Sequence, residues 1–127
     1  MWYLNESIKI EDLKGRILTK IDVNREENEI LFEDLEGNKY KMYHYQSCCE
    51  EVYIEDICGD LNNLLNEPLI MAEEVTEEGN TEWGTYTWTF YKLATVKGYV
   101  TLRWYGTSNG YYSERVDLEK INEKLTK

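Results

Sequence analysis

The sequence has one proline and eight glycines in 127 residues, so no stretch reads as a linker or a disordered tail. No apolar run approaches the ~18 residues of a helical membrane span, and no membrane partner is expected. A glycine-rich phosphate loop and a Gly-x-Ser-x-Gly elbow are both missing. The N-terminal residues Met1 to Glu6 lack the basic start and apolar centre of a signal peptide, so the expected location is the cytoplasm. In that compartment Cys48, Cys49 and Cys58 are expected as thiols or metal ligands, not disulfides. A bridge between the neighbours Cys48 and Cys49 is expected to be strained.

Positive charge is also scarce. The chain has 14 Lys and Arg against 25 Asp and Glu, for a formal charge of −11. The excess is concentrated in residues 26–82, where 17 acidic side chains face only Lys39 and Lys41. Such a field repels nucleic-acid phosphates, and direct nucleic-acid binding is not expected. It attracts cations or a basic partner protein, and it also serves solubility.

What is present is enough for one domain, residues 1–127, with an aromatic-rich core that needs no disulfides. Residues 7–15 read as a short helical turn ended by Gly15, and 16–23 as a strand. Residues 29–45 read as a hairpin about Gly37-Asn38, with Glu36 opposite Lys39, Asp34 opposite Lys41, Phe32 opposite Tyr43 and Ile30 opposite Tyr45. His44 then lies on the apolar face of Tyr40 and Met42, near a strand end. Residues 51–56 read as a strand. Asp56 or Asp60 caps a helix through Leu61, Leu64 and Leu65, which Pro68 stops.

Residues 69–76 form another strand, and 77–80 a charged turn. Tyr86, Trp88 and Phe90 alternate with Thr85, Thr87 and Thr89, a strong strand signal. A turn at Lys97-Gly98 pairs Val96 with Tyr99 and sets Lys92 opposite Arg103. Asn109-Gly110 returns the chain through 111–117, and Asp117 to Lys127 reads as a terminal helix. The predicted class is α+β, an antiparallel sheet of hairpins with one or two short helices.

Two features carry chemistry. His44, Cys48, Cys49 and Cys58 are four soft or borderline donors within fifteen residues, the number that a structural zinc takes. Glu55, Asp56 or Asp60 can complete the shell if one cysteine does not ligate. The other reading of these residues is a satisfied histidine at a strand end and small buried thiols. A Cys–His pair is possible in principle, and Glu50, Glu51, Glu55 and Asp56 are generic carboxylates, but no nucleophile motif accompanies them. The second feature is a run of rings: Trp83, Tyr86, Trp88, Phe90, Tyr91, Tyr99, Trp104, Tyr105, Tyr111 and Tyr112. Strand alternation puts about half of them in the core. The rest, if they cluster outside, suit a protein-binding surface.

The run from His44 to Leu61, with Trp88-Thr89-Phe90-Tyr91-Lys92, Gly98-Tyr99-Val100-Thr101 and the stretch from Arg103 to Ser113, resembles an uncharacterised domain family of small phage and prophage proteins. The likeness covers most of the chain after residue 15. It extends to zinc-containing anti-CRISPR proteins that bind a type II-A Cas9. The resemblance implies a phage-encoded, metal-stabilised inhibitor acting in the host cytoplasm, with a basic host defence protein such as Cas9 as partner and no enzyme activity. Family members often carry an acidic residue where this chain has Ser47. The alternative is a metal-dependent or Cys–His enzyme on a small substrate.

Overall fold

The computed structural model describes residues 5–122. Among these the regular structure is antiparallel β-sheet, joined by two short 3₁₀ turns. The strands are β1 (Glu6–Ser7), β2 (Leu18–Val23), β3 (Glu29–Asp34), β4 (Lys39–Tyr43), β5 (Glu51–Cys58), β6 (Met71–Asn80), β7 (Thr85–Thr95), β8 (Gly98–Ser108) and β9 (Asp117–Ile121). They form two sheets, ordered β1-β9-β4-β3-β2 and β5-β8-β7-β6. The predicted α+β class is therefore corrected. Two of the three segments expected as helical are four-residue 3₁₀ turns, Ile10–Leu13 and Leu61–Leu64, and the described residues are all-β. Neither turn is long enough to present a helical face, so the core is closed by sheet on sheet.

That core lies between the sheets. Leu18, Ile30, Phe32, Tyr40 and Met42 of the first sheet are buried with Val52, Ile54, Tyr91, Leu93, Val100, Leu102 and Trp104 of the second. Ile10, Leu13 and Leu64 of the 3₁₀ turns complete it.

Both hairpin registers differ from the sequence reading. In the first, Phe32 faces Tyr40 and Ile30 faces Met42, while Lys41 faces Leu31. The cause is Asp34. Its carboxylate accepts the N–H groups of Glu36 (3.0 Å) and Asn38 (2.9 Å), the Asn38 side-chain amide (3.0 Å) and the Tyr40 hydroxyl (2.9 Å). This widens the turn to Leu35–Asn38 and takes Asp34 out of the ladder with Lys41. The altered register puts Phe32 and Tyr40 on the core face together.

In the second hairpin Thr95 pairs with Gly98, so Lys92 faces Thr101 and Arg103 faces Phe90. The Thr95 hydroxyl accepts the Lys97 N–H at 3.1 Å and closes a turn at Val96-Lys97. The shift is by two residues, so each side chain keeps its face.

The C-terminal region departs most. Asn109-Gly110 does not start a hairpin. The chain leaves the second sheet there, and Asp117–Ile121 pairs with β4 and β1 in the first sheet. The expected terminal helix is thus a strand over those residues, and residues 123–127 lie outside the described part. The segment 77–80, expected as a turn, continues β6 opposite Thr85–Trp88. No helix among the described residues is long and apolar enough to cross a membrane.

Candidate functional site

The second sheet is covered on one face only. Along β7 the inner residues are Thr85, Thr87, Thr89, Tyr91 and Leu93, so Tyr86, Trp88 and Phe90 point outward. On β8 the outward set includes Arg103 and Tyr105, and β5 adds Tyr53 opposite Tyr105. These rings touch one another. The Trp88 and Tyr105 centroids are 4.4 Å apart, and Tyr53 and Tyr86 each lie 6.1 Å from Tyr105. Trp88 and Phe90 are near-parallel at 6.2 Å. All five rings are half-buried, each leaving part of its face to solvent.

Tyr86 can lie down on the sheet because its cross-strand partner is Gly79, where an added Cβ would collide with the ring. Tyr91 and Trp104 are the core rings of the run.

Arg103 is set among these rings, with Trp88 beneath its guanidinium, and Lys92 follows Phe90 on the same face. A β-bulge at Glu55 offsets β5 between Ile54 and Asp56. Two consecutive carboxylates thereby converge on one guanidinium, which alternation alone would forbid. Arg103 Nε donates to Glu55 at 2.7 Å, and Nη2 lies 2.6 Å from Glu55 and 3.4 Å from Asp56. The Glu55 hydrogen bond holds the Arg103 pKa above its ordinary value. The rim is acidic: Glu51 and Glu55 on one side, Glu73 and Glu77 on the other, are all exposed.

Of the sequence-predicted metal ligands, His44, Cys48 and Cys49 gather about Glu50, and Cys58 lies apart. His44 follows β4, with Nδ1 2.7 Å from the Arg115 carbonyl oxygen and Nε2 2.6 Å from Glu50. Glu50 is buried and also accepts the Ser47 N–H (2.7 Å) and the Cys48 N–H (2.9 Å). The Ser47 N–H is the largest influence on its carboxyl. With the His44 and Cys48 contacts it outweighs burial and holds the pKa at about 2. Cys48 and Cys49 are joined in a disulfide, which corrects the expectation of free thiols there.

Cys58 is exposed at the far end of β5, which at ~3.3 Å per residue is roughly 23 Å from Glu51. Zinc–thiolate bonds are about 2.3 Å, so one ion cannot span that strand. The Cys58 thiol sits 3.4 Å from Asp56, whose hydrogen bond pushes its pKa up. Glu55 and Asp56 are committed to Arg103, and Asp60 caps the second 3₁₀ turn through the Asn62 N–H. The four-donor zinc set does not fit this arrangement. Among the described residues no group of three or more His, Cys, Asp or Glu is placed to hold a metal ion.

One residue that sequence reasoning missed is Glu114. It is buried and accepts hydroxyls from Thr85 (2.5 Å), Thr87 (2.8 Å) and Ser108 (2.5 Å). Burial raises its pKa, but these three hydrogen bonds prevail and the carboxyl is lowered. The available signal was the threonine stripe, which is polar on the face that Tyr91 and Leu93 continue into the core.

A family model described as a domain of unknown function (DUF7448) matches residues 11–118, and the chain belongs to that family. No curated protein and no solved structure matches the chain.

Proposed function

We propose that this DUF7448 protein is a non-enzymatic binding module that docks on a basic protein through the outer face of its second sheet. The observation that carries the reading is the contiguous cluster of Tyr53, Tyr86, Trp88, Phe90 and Tyr105 around Arg103, left uncovered on an otherwise acidic molecule. Trp, Tyr and Arg are the residues that most often dominate binding energy, and a polar rim around them excludes water. Here the rim is glutamate, so attraction and orientation favour a basic surface. The same acidity disfavours base stacking by these rings on a nucleic acid.

A finer version names the partner as a host defence nuclease, such as a type II-A Cas9, and the protein as a phage-encoded anti-CRISPR. It rests on the sequence resemblance and on the positively charged channels of such nucleases.

The test is titration of the intact chain against basic proteins that include a type II-A Cas9, at low and at physiological salt. Saturable binding that weakens with salt, and that W88A/Y105A weakens by about tenfold or more, supports the reading. Binding to none of them, or binding indifferent to W88A/Y105A, overturns it.

A further inference from the structure

We propose that the free edge of β6 takes up an extended basic polypeptide segment as an added strand. The proposal rests on the reading above and names the form of the partner. β6 is the last strand of its sheet, and Glu73 to Glu78 are exposed. An edge strand presents unpaired N–H and C=O groups, and natural edges are commonly blunted by lysine, proline or a bulge. Met71–Asn80 contains no lysine and no proline, and it pairs with β7 without interruption. The first 3₁₀ turn packs against part of β6, and negative charge protects the rest. A second β6 pairing antiparallel about Val75 and Thr76 would bring Glu73 against Glu78 and Glu74 against Glu77. Like charges directly opposite are destabilising, so self-pairing is disfavoured while a basic strand is welcomed.

The two faces of this edge are each prepared. Glu74, Thr76 and Glu78 line a cleft of about 490 Å³ between the sheets, opposite β1 and the first 3₁₀ turn. Glu114 and Asp117 add carboxylates to the cleft, against Lys9 and Arg115. Arg115 is already 3.8 Å from Asp117. Glu73, Val75 and Glu77 lie on the other face, beside Lys92, Phe90 and Trp88. An added strand has side chains of period two. A strand with a cation at every second residue puts all of them on one face, and the register that sets them beside Glu74 and Glu78 in the cleft is the one that Glu114 and Asp117 also favour.

The experiment uses the full chain with a short peptide of alternating lysine and threonine. An otherwise identical peptide N-methylated at successive residues loses its donors on both edges and cannot pair as a strand, and a glutamate–threonine peptide controls for charge. Binding is followed by calorimetry and by amide hydrogen exchange. The expected result is saturable binding of the basic peptide with slowed exchange confined to β6. N-methylation and Glu74→Gln/Glu78→Gln should each weaken it by about tenfold or more. Equal binding of the N-methylated peptide, or no slowing in β6, overturns the strand-addition proposal. If the peptide fails while a basic protein binds through Trp88 and Tyr105, the edge proposal falls and the docking face stands. If neither binds, both fall.

Discussion

The guanidinium carbon of Arg103 lies 5.7 Å from the centroid of the Trp88 ring. A cation over an indole face is attracted to it, and Glu55 and Asp56 hold the group there from the other side. The rings around it are therefore fixed by packing and ion pairing before any partner arrives, which limits the ordering cost of association.

Replacing Trp88 and Tyr105 by alanine should separate binding from folding. Both rings are half-exposed on the outer face. Affinity for a basic partner is expected to fall by about 2 kcal/mol or more. The thermal midpoint should move far less than for a core variant such as Trp104→Ala, where Trp104 is fully buried and the loss is about 3–5 kcal/mol. Calorimetric titration and a thermal melt on the same samples check both.

Asp34→Ala should destabilise the protein by about 3 kcal/mol, because it strips an acceptor from four donors at a buried turn. Arg16, 3.6 Å away, loses its partner too. Urea unfolding gives the value. A change below about 0.5 kcal/mol would mean that the turn is held by other contacts.

Acid should destabilise the protein through three carboxylates. Burial raises the pKa of Asp34 and Glu114, yet their hydrogen bonds prevail and both lie below the ordinary value. Glu50 lies at about 2. A lowered folded-state pKa contributes stability that is present above the unfolded value, about 4.3 for Glu, and lost as pH falls through the folded value. Urea midpoints should therefore drop between about pH 5 and pH 2. Glu50→Gln should flatten part of that slope while lowering the midpoint at neutral pH.

His44→Ala and Cys58→Ser should diverge. His44 bridges Glu50 and the Arg115 carbonyl, so its loss should lower the melting temperature by about 5 °C or more. Cys58 is exposed at a strand end, and its replacement should change the melt by no more than about 2 °C. Elemental analysis and a chelator-treated melt on both variants add a direct check: a zinc lost on Cys58→Ser, with a lower melt, would overturn this expectation.

The alternation of residues 85–90 was enough to place β7 and to split its residues into two faces, and the shift of the β7–β8 register by two left that split intact. It could not say which face was inside. Hydrophobicity points the rings inward, yet Thr85 and Thr87 are the inner pair because Glu114, nearly thirty residues on, needs their hydroxyls. In the β3–β4 hairpin the Gly37-Asn38 signal located the turn but not its length, since Asp34 closes it through contacts that no propensity encodes. Cys58 lies apart from the other three donors for a related reason. Closeness of His44 and Cys58 in sequence was taken for closeness in space, and an extended strand puts residues 51 to 58 roughly 23 Å apart.

By itself, the sequence determined the local and global quantities that need no partner. These are most of the strand-forming stretches, the turns at Gly37-Asn38 and beside Lys97, a strongly acidic middle and an aromatic-rich second half, because each depends on residue type and near neighbours. The tertiary structure alone decided which sheet β9 joined, which rings stayed outside, and that β6 became an acidic edge. Those outcomes depend on contacts between residues far apart in the chain, where burial and hydrogen-bond satisfaction outweigh local preference.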